Sequence, residues 1–361
     1  MTVEIGVEEI EDIALGATVL GTGGGGDPHV GKLVAKQAIE EFGPVELVHP
    51  DELAEDAFVV PTAQMGAPTV SVEKLPSGQE AVDSLERIER ELDQEVDATM
   101  PIECGGINST FPFAVAARRG LPVVDADGMG RAFPELHHET FNIYGVSGTP
   151  AAVSDERGNT CLIETADNEQ LEWLARGITV RMGGVAYVSD YPMTGTEVKD
   201  TAIPGTMTLA RNLGRELRKA EDDAMDAIRE VTRSSIYGEA QSLFEGKIVD
   251  VQRRTEQGFV FGHVDVGGLG PDEGSTMRIE FQNENLGAQV DGEYVATVPD
   301  LITVLDLETG GPIPTESLRY GARVRVLGVR TPEIMRTPAA LDVWGPRSFG
   351  LETAYKPLEG E

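Results

Sequence analysis

Asp125-Ala-Asp127 closes the segment "LPVVDAD" and is the most chemically suggestive pair in the chain. Two carboxylates at i and i+2 leaving a strand point to one side if the chain turns. They then bind a divalent cation, or split into a general acid and a general base because like charges repel. The plainer alternative is structural: Asp127-Gly128 is an ordinary turn, and an aspartate caps helices. Arg131 and Glu135 follow at i, i+4 spacing. They are either a mutual ion pair or an arginine that orients a substrate carboxylate next to a carboxylate. His137 and His138 are adjacent, so on a helix they diverge by about 100° and do not readily share one metal. No HExxH or HxH motif strengthens a metal reading. Cys104 precedes a Gly105-Gly106 turn, which allows close backbone approach. A thiolate there is one reading; a buried inert cysteine beside Glu103 is the favoured one. Asn108 and Ser109 are suited to cap the helix that follows.

A second concentration lies near the start, in "GATVLGTGGGGDPHVGKL" (residues 16–33). Gly21 to Gly26 satisfies the G-x-G-x-x-G pattern, but that pattern has meaning only after a strand and before a helix. Here the preceding segment has helical spacing. The overlapping phosphate-loop pattern fails at Leu33, where a hydroxyl is needed to hold magnesium. Nucleotide binding is therefore not expected. What remains is a glycine loop, Gly24, Gly25 and Gly26, that tolerates close approach and runs into a helix whose free N–H groups favour an anion or a polarised oxygen. Asp27 is placed to cap that helix, with Pro28 at its first position. His29 either faces the pocket or solvent. Late in the chain, "GPRSFG" (345–350) displays Arg347 and Phe349 on a loop that either closes over a pocket or ends a subdomain.

These residues need a framework. Residues 7–20 and 30–41 have helical periodicity. The apolar runs at 45–48, 57–63 and 121–127 alternate with helical stretches at 79–95 and 108–119. Strands separated by helices imply a parallel sheet with helices on both faces. Near residue 165 the texture changes, and a long helical region follows at about 206–235. From 243 onward, short strands are separated by Gly-, Pro- and Asp-rich turns. The expected class is α/β: an N-terminal parallel-sheet domain over 1–165, then a C-terminal α+β domain over 166–361 containing a β-rich subdomain.

The chain has 361 residues, 40% of them apolar, so it folds around sizeable cores. Acids outnumber bases 62 to 29, a net charge of −33, which argues against nucleic acid and anionic membranes as partners. The acid is spread along the whole chain, as in proteins adapted to high salt. There is no basic, apolar leader at the N-terminus and no membrane-length apolar run. Two distant cysteines suit a reducing, cytoplasmic setting.

"LGTGGGGDP" (20–28), "GGIN" (105–108), "GLPVVDADGMGRAFPE" (120–135) and "GPRSFG" (345–350), in that order, resemble the DUF917 family. Its members are described as S-methyl thiohydantoin desulfurase-like and are associated with hydantoinase/oxoprolinase proteins. The resemblance covers nearly the whole chain. It implies an N-terminal α/β domain, a β-rich C-terminal domain and a hydrolase acting on a five-membered hydantoin-like ring. Water attacks the C–S carbon and a thiol leaves. The alternative is a non-catalytic ligand-binding partner of a hydantoinase/oxoprolinase. On this resemblance the catalytic residues are Asp125, Asp127 and Glu135, with Asp125 or Asp127 as base or as ligand of a divalent metal ion. Amides of Gly24, Gly25, Gly26, Gly105 and Gly106 anchor ring oxygens or a side-chain carboxylate, Asn108 pairs with the ring amide, and Arg131 or Arg347 pairs with an anion. Asp27 and His29 complete the substrate-binding set. The expected partners are a small-molecule substrate, further copies of the chain and a hydantoinase/oxoprolinase protein.

Overall fold

A computed structural model describes residues 3–26, 28–67, 70, 74–220, 224–256 and 259–358. The N-terminal half provides β1 (Val3–Ile5), α1 (Val7–Leu20), α2 (Pro28–Phe42), β2 (Val45–Val48), β3 (Phe58–Gly66), α3 (Gln79–Leu92) and β4 (Ala98–Met100). It continues with α4 (Phe111–Arg119), β5 (Val123–Val124), β6 (Ala126–Asp127), the single turn α5 (Thr140–Ile143), β7 (Ala151–Ser154) and β8 (Thr160–Ile163). Next come α6 (Asn168–Arg181), β9 (Val185–Ser189), β10 (Met193–Thr194), α7 (Gly195–Thr201), β11 (Ile203–Pro204), α8 (Thr206–Lys219) and α9 (Ala224–Arg233). The rest is mostly strand: β12 (Gln241–Glu256), β13 (Phe259–Gly268), β14 (Thr276–Gln282), β15 (Glu284–Val290), β16 (Glu293–Thr297), β17 (Leu301–Asp306) and β18 (Arg323–Val329), before α10 (Pro338–Trp344).

The first sheet runs β1-β2-β5-β4-β3-β9-β7-β8, with β10 also pairing β3. Its centre, β2-β5-β4-β3, is parallel, as the alternation of strands and helices implies. The β9, β7 and β8 ladders are antiparallel. Successive residues of β7 and β9 point to opposite faces. Ala152 and Tyr187 join a core with Leu85 and Ile88 of α3, whereas Ala151, Val153, Ala186 and Val188 join one with Leu171 and Ala175 of α6. The helices therefore cover both faces. The second sheet, β16-β15-β14-β13-β12-β18-β17, is antiparallel and curled, closing on its own core of Ile248, Val264, Ile279, Val304 and Val326.

The two halves of the sequence are tied closely. Strand β9 from the second half pairs with β3 from the first. Helix α8 lies against α1 at two glycines: a Cβ on Gly16 would stand 1.8 Å from Ala210 O, and one on Gly214 1.8 Å from Asp12 O. Any larger residue at either point would push these helices apart.

Three local expectations change. The helical region 206–235 is interrupted, because α8 ends in an extended residue at Ala220. The helix expected from 108 begins at Phe111, after a tight 3-10 turn over Gly106–Ser109. Residues 135–138 form a turn and not a helix, with His138 N donating to Glu135 O at 3.0 Å. Among the described residues, no helix is long and apolar enough to cross a membrane.

Candidate active site

The parallel strands β3 and β4 end side by side, and the chain leaving each carries polar groups into one cleft. Open α/β sheets place ligands at this edge. Gln64, Met65 and Gly66 come from the end of β3, Ile102 and Glu103 from the segment after β4, and Gly25 and Gly26 from the α1–α2 loop. The opposite wall is Phe133, Pro134 and Glu135, with Arg176 of α6 and Asn283 and Glu284 at the β14–β15 turn of the second sheet. The space is about 70 Å³.

The glycine loop has an internal occupant. Glu284 reaches back 259 residues, and Gly25 N donates to its Oε1 at 3.3 Å. A Cβ on Gly24 would lie 2.2 Å from that same oxygen, so only glycine admits it. Gly25, at φ +79°, takes a backbone form that other residues rarely adopt. The loop also meets the second glycine turn: Ile107 N donates to Gly25 O at 2.9 Å, and a Cβ on Gly106 would stand 2.0 Å from that oxygen. The two glycine corners thus form adjoining walls.

Three carboxyl groups face the cleft. Glu103 is buried; its Oε1 accepts from Asn108 Nδ2 at 2.7 Å, while its Oε2 has no hydrogen-bond partner. Burial, reinforced by repulsion from Glu284, holds its carboxyl well above the usual range. Glu284 also has a buried Oε2 without a partner. Burial pushes it up to about 7, with the Arg131 cation pulling the other way. Glu135 is half-buried, and burial followed by repulsion from Glu172 lifts it to about 7. Arg176, the cation of the lining, is occupied: Nε donates to Glu172 Oε1 at 2.6 Å and Nη2 to Pro134 O at 3.0 Å.

Several expected site residues have other tasks. Asp125 and Asp127 do not line the cleft. Asp125 accepts from the N–H and hydroxyl of Thr208 at 2.9 and 2.6 Å, securing the first turn of α8. One oxygen of Asp127 collects the N–H groups of Cys104, Met129 and Gly130 at 2.8, 3.3 and 2.8 Å. Burial still pushes Asp127 up to about 6. Both oxygens of Asp125 are committed in this way, whereas Asp127 keeps a buried Oδ1 without a hydrogen-bond partner, away from the cleft lining. Arg131 is neither paired with Glu135 nor available to a substrate anion. It is fully buried, and its guanidinium donates to Thr22 Oγ1 and to the carbonyls of Ala132, Asn285 and Asp300. It clamps the glycine loop to the second sheet.

Asn108 lines the cleft but does not cap α4. It accepts from Gln64 N at 2.8 Å, donates to Gln64 O at 3.1 Å, and holds Glu103. Gly105 supports the loop from behind, where a Cβ would stand 2.7 Å from Gly21 Cα. His29 is exposed in the first turn of α2, outside the cleft lining. Asp27 lies outside the described residues. Arg347 is exposed, and its neighbour Phe349 is the inward member of that loop, with ring centroids 5.3 Å from His138 and 6.3 Å from Phe133. Cys104 is buried, and burial with nearby Asp127 pushes its thiol well up, away from the reactive thiolate.

Glu103 and Glu284 are the residues that sequence reasoning missed. Glu103 has a readable signal: an acid at a strand end just before a glycine turn. Glu284 has none, because only the long-range seating of the second sheet brings it in.

The whole architecture has known relatives. The profile described as "S-Me-THD-like, N-terminal domain" matches residues 8–165, and "S-Me-THD-like, C-terminal domain" matches 166–358. The chain belongs to the S-Me-THD-like family. Those domains suggest a hydantoin-related function. A crystal structure of a protein from Chromobacterium violaceum, a structural-genomics target, superposes with a TM-score of 0.85 over 99% of this chain and 100% of its own, at 22% identity. That likeness establishes the fold of this family member. No curated protein matches it in sequence.

Proposed function

We propose that the chain hydrolyses a small hydantoin-like ring, with Glu103 and Glu284 as the pair that moves protons. The observation behind this is their arrangement. Two buried carboxyl groups, from distant parts of the chain, line one small cleft, each with an oxygen lacking a partner. Their environments differ, which assigns the roles. Glu284, at about 7 and steadied by Gly25 N, is partly ionised near neutrality and serves as base. Glu103, whose burial and repulsion from Glu284 favour the neutral form, serves as acid.

For an S-methyl thiohydantoin the steps balance. Water adds to the carbon bearing sulfur while Glu284 takes a proton. The C=N electron pair moves to nitrogen, which takes the proton of Glu103. The new hydroxyl then returns a proton to Glu103, the C–S bond breaks, and the departing sulfur takes the proton held by Glu284. The products are the hydantoin and methanethiol. Asn108 keeps Glu103 aimed into the cleft throughout.

The test uses the full chain and S-methyl thiohydantoins, reading thiol release with a thiol-reactive dye. Turnover by the wild type is expected, falling on the order of 10²-fold or more in Glu103→Gln and in Glu284→Gln, with melting temperature preserved. A wild type that binds the hydantoin but never releases thiol would replace this reading with a ligand-binding role beside a hydantoinase/oxoprolinase. Full turnover in both variants would overturn the assignment of the pair.

A further inference from the structure

The turn after Phe133 carries a second constellation that the hydrolytic scheme leaves unused. Glu135, His137 and His138 each bring one ligand-type atom to within 4.8 Å of the others. The turn makes this possible. Adjacent residues on a helix would send their side chains apart, but here the two imidazole centroids stand 4.3 Å apart with planes inclined by 50°.

Three features distinguish this cluster from an ordinary polar patch. The Nδ1 atoms of both histidines are buried without a hydrogen-bond partner, although His138 is only 5% exposed. A buried imidazole nitrogen without a partner is costly unless something else binds in the neighbourhood. Next, His137 Nδ1 and Glu135 Oε2 are 3.4 Å apart without a hydrogen bond between them. Two ligands on a tetrahedral ion with bonds of about 2.1 Å are separated by about 3.4 Å. Finally, the recess onto which the three open is also lined by Glu169 and Asp342, and no lysine or arginine lines it among the described residues. Its field favours a cation.

We propose that Glu135, His137 and His138 form a binding site for one divalent transition-metal ion of the zinc class. Two imidazoles and a carboxylate match the borderline-soft preference of such ions and leave a coordination position open for water or ligand. Glu135 also lines the cleft, so the ion sits at its rim. This site stands independently of the roles given to Glu103 and Glu284. The other cluster of this type, Asp250, His263 and Asp265, differs. It is more exposed, and Arg278 already holds Asp265 through two bonds of 2.7 and 2.8 Å.

The test is metal binding by the full chain after chelator treatment and dialysis, at high salt to suppress diffuse binding to the acidic surface. Zinc is titrated against a chromophoric chelator, and cobalt(II) is added separately to read its visible spectrum. One tight equivalent per chain and intense cobalt bands are expected. His137→Ala, at a half-buried position, should weaken the zinc affinity 10-fold or more without changing the circular dichroism spectrum, and His138→Ala should do the same if it folds. His263→Ala should leave the tight equivalent intact. Absence of a tight equivalent in the wild type, its survival at full affinity in His137→Ala, or its loss in His263→Ala would overturn the proposal.

Discussion

Two acidic corners of this molecule look alike in sequence and differ in what surrounds their oxygens. At Asp125 and Asp127, backbone and hydroxyl donors converge from the segment around Cys104, from the following turn and from α8. At Glu103 and Glu284, each carboxyl has one anchored oxygen and one left over, and both line an open cleft. Asp127 also has a buried oxygen, Oδ1, without a partner, but it lies outside the cleft lining, so what separates the two corners is the open space beside the spare oxygen. A carboxylate with a spare oxygen beside empty space has capacity for chemistry.

The largest stability effect should fall on the first corner. Asp127→Ala leaves three backbone N–H groups without their acceptor, at about 1 to 3 kcal/mol each if unsatisfied. Denaturant unfolding should show a loss of about 3 kcal/mol or more. Glu103→Gln keeps the bond from Asn108 and replaces a carboxyl group that burial already drives toward its neutral form, so its stability should be no lower than wild type. A reversed order would erase the contrast.

Next in size is Arg131→Met, which strips donors from three buried carbonyls and from Thr22. A loss of about 2 to 4 kcal/mol is expected. The change also removes the cation that lowers Glu284. The acidic limb of kcat/KM, set by ionisation of Glu284, should therefore move to higher pH, which a packing defect alone would not produce.

The pH dependence of stability sharpens the comparison further. Asp127 and Glu284 have folded values of about 6 and 7, above their ordinary 3.8 and 4.5. The native state then holds more protons than the unfolded chain between those limits. Their contribution is fully present below about pH 4 and is lost as pH rises through 6 and 7. Melting in molar salt, which screens surface repulsion, should fall across that window by the equivalent of a few kcal/mol. At low salt the net charge of −33 should lower the melting temperature further at every neutral pH. Identical melting in low and molar salt would remove the salt-adaptation reading. The smallest effect belongs to Arg347→Ala: the side chain is exposed, so stability should stay within about 0.5 kcal/mol and turnover unchanged.

Much of the fold was legible from periodicity. The helices near 7–20 and 30–41, the parallel centre and the strand-rich C-terminal part follow from local patterns, because those patterns state which face of each element is buried. The break after α8 and the turn at 135–138 were not legible, since helical spacing persists where tertiary packing stops the helix. Of the site, the glycine corners and Asn108 were visible as types able to approach a ligand closely. Their partners were not: the helical expectation at His137–His138 hid a cluster that only a turn creates.

By itself, then, the sequence determined the family, the layered α/β framework and the two glycine corners, all carried by local spacing or contiguous motifs. Tertiary structure alone decided which acids face open space. Asp127 and Glu103 have similar chemistry and lie 24 residues apart, yet one gathers three backbone N–H groups away from the cleft and the other lines it. Glu284 enters the cleft only through the clamp of Arg131 and the missing side chain of Gly24. The physical reason is that hydrogen-bond satisfaction and burial are properties of the surroundings in space, assembled from segments hundreds of residues apart.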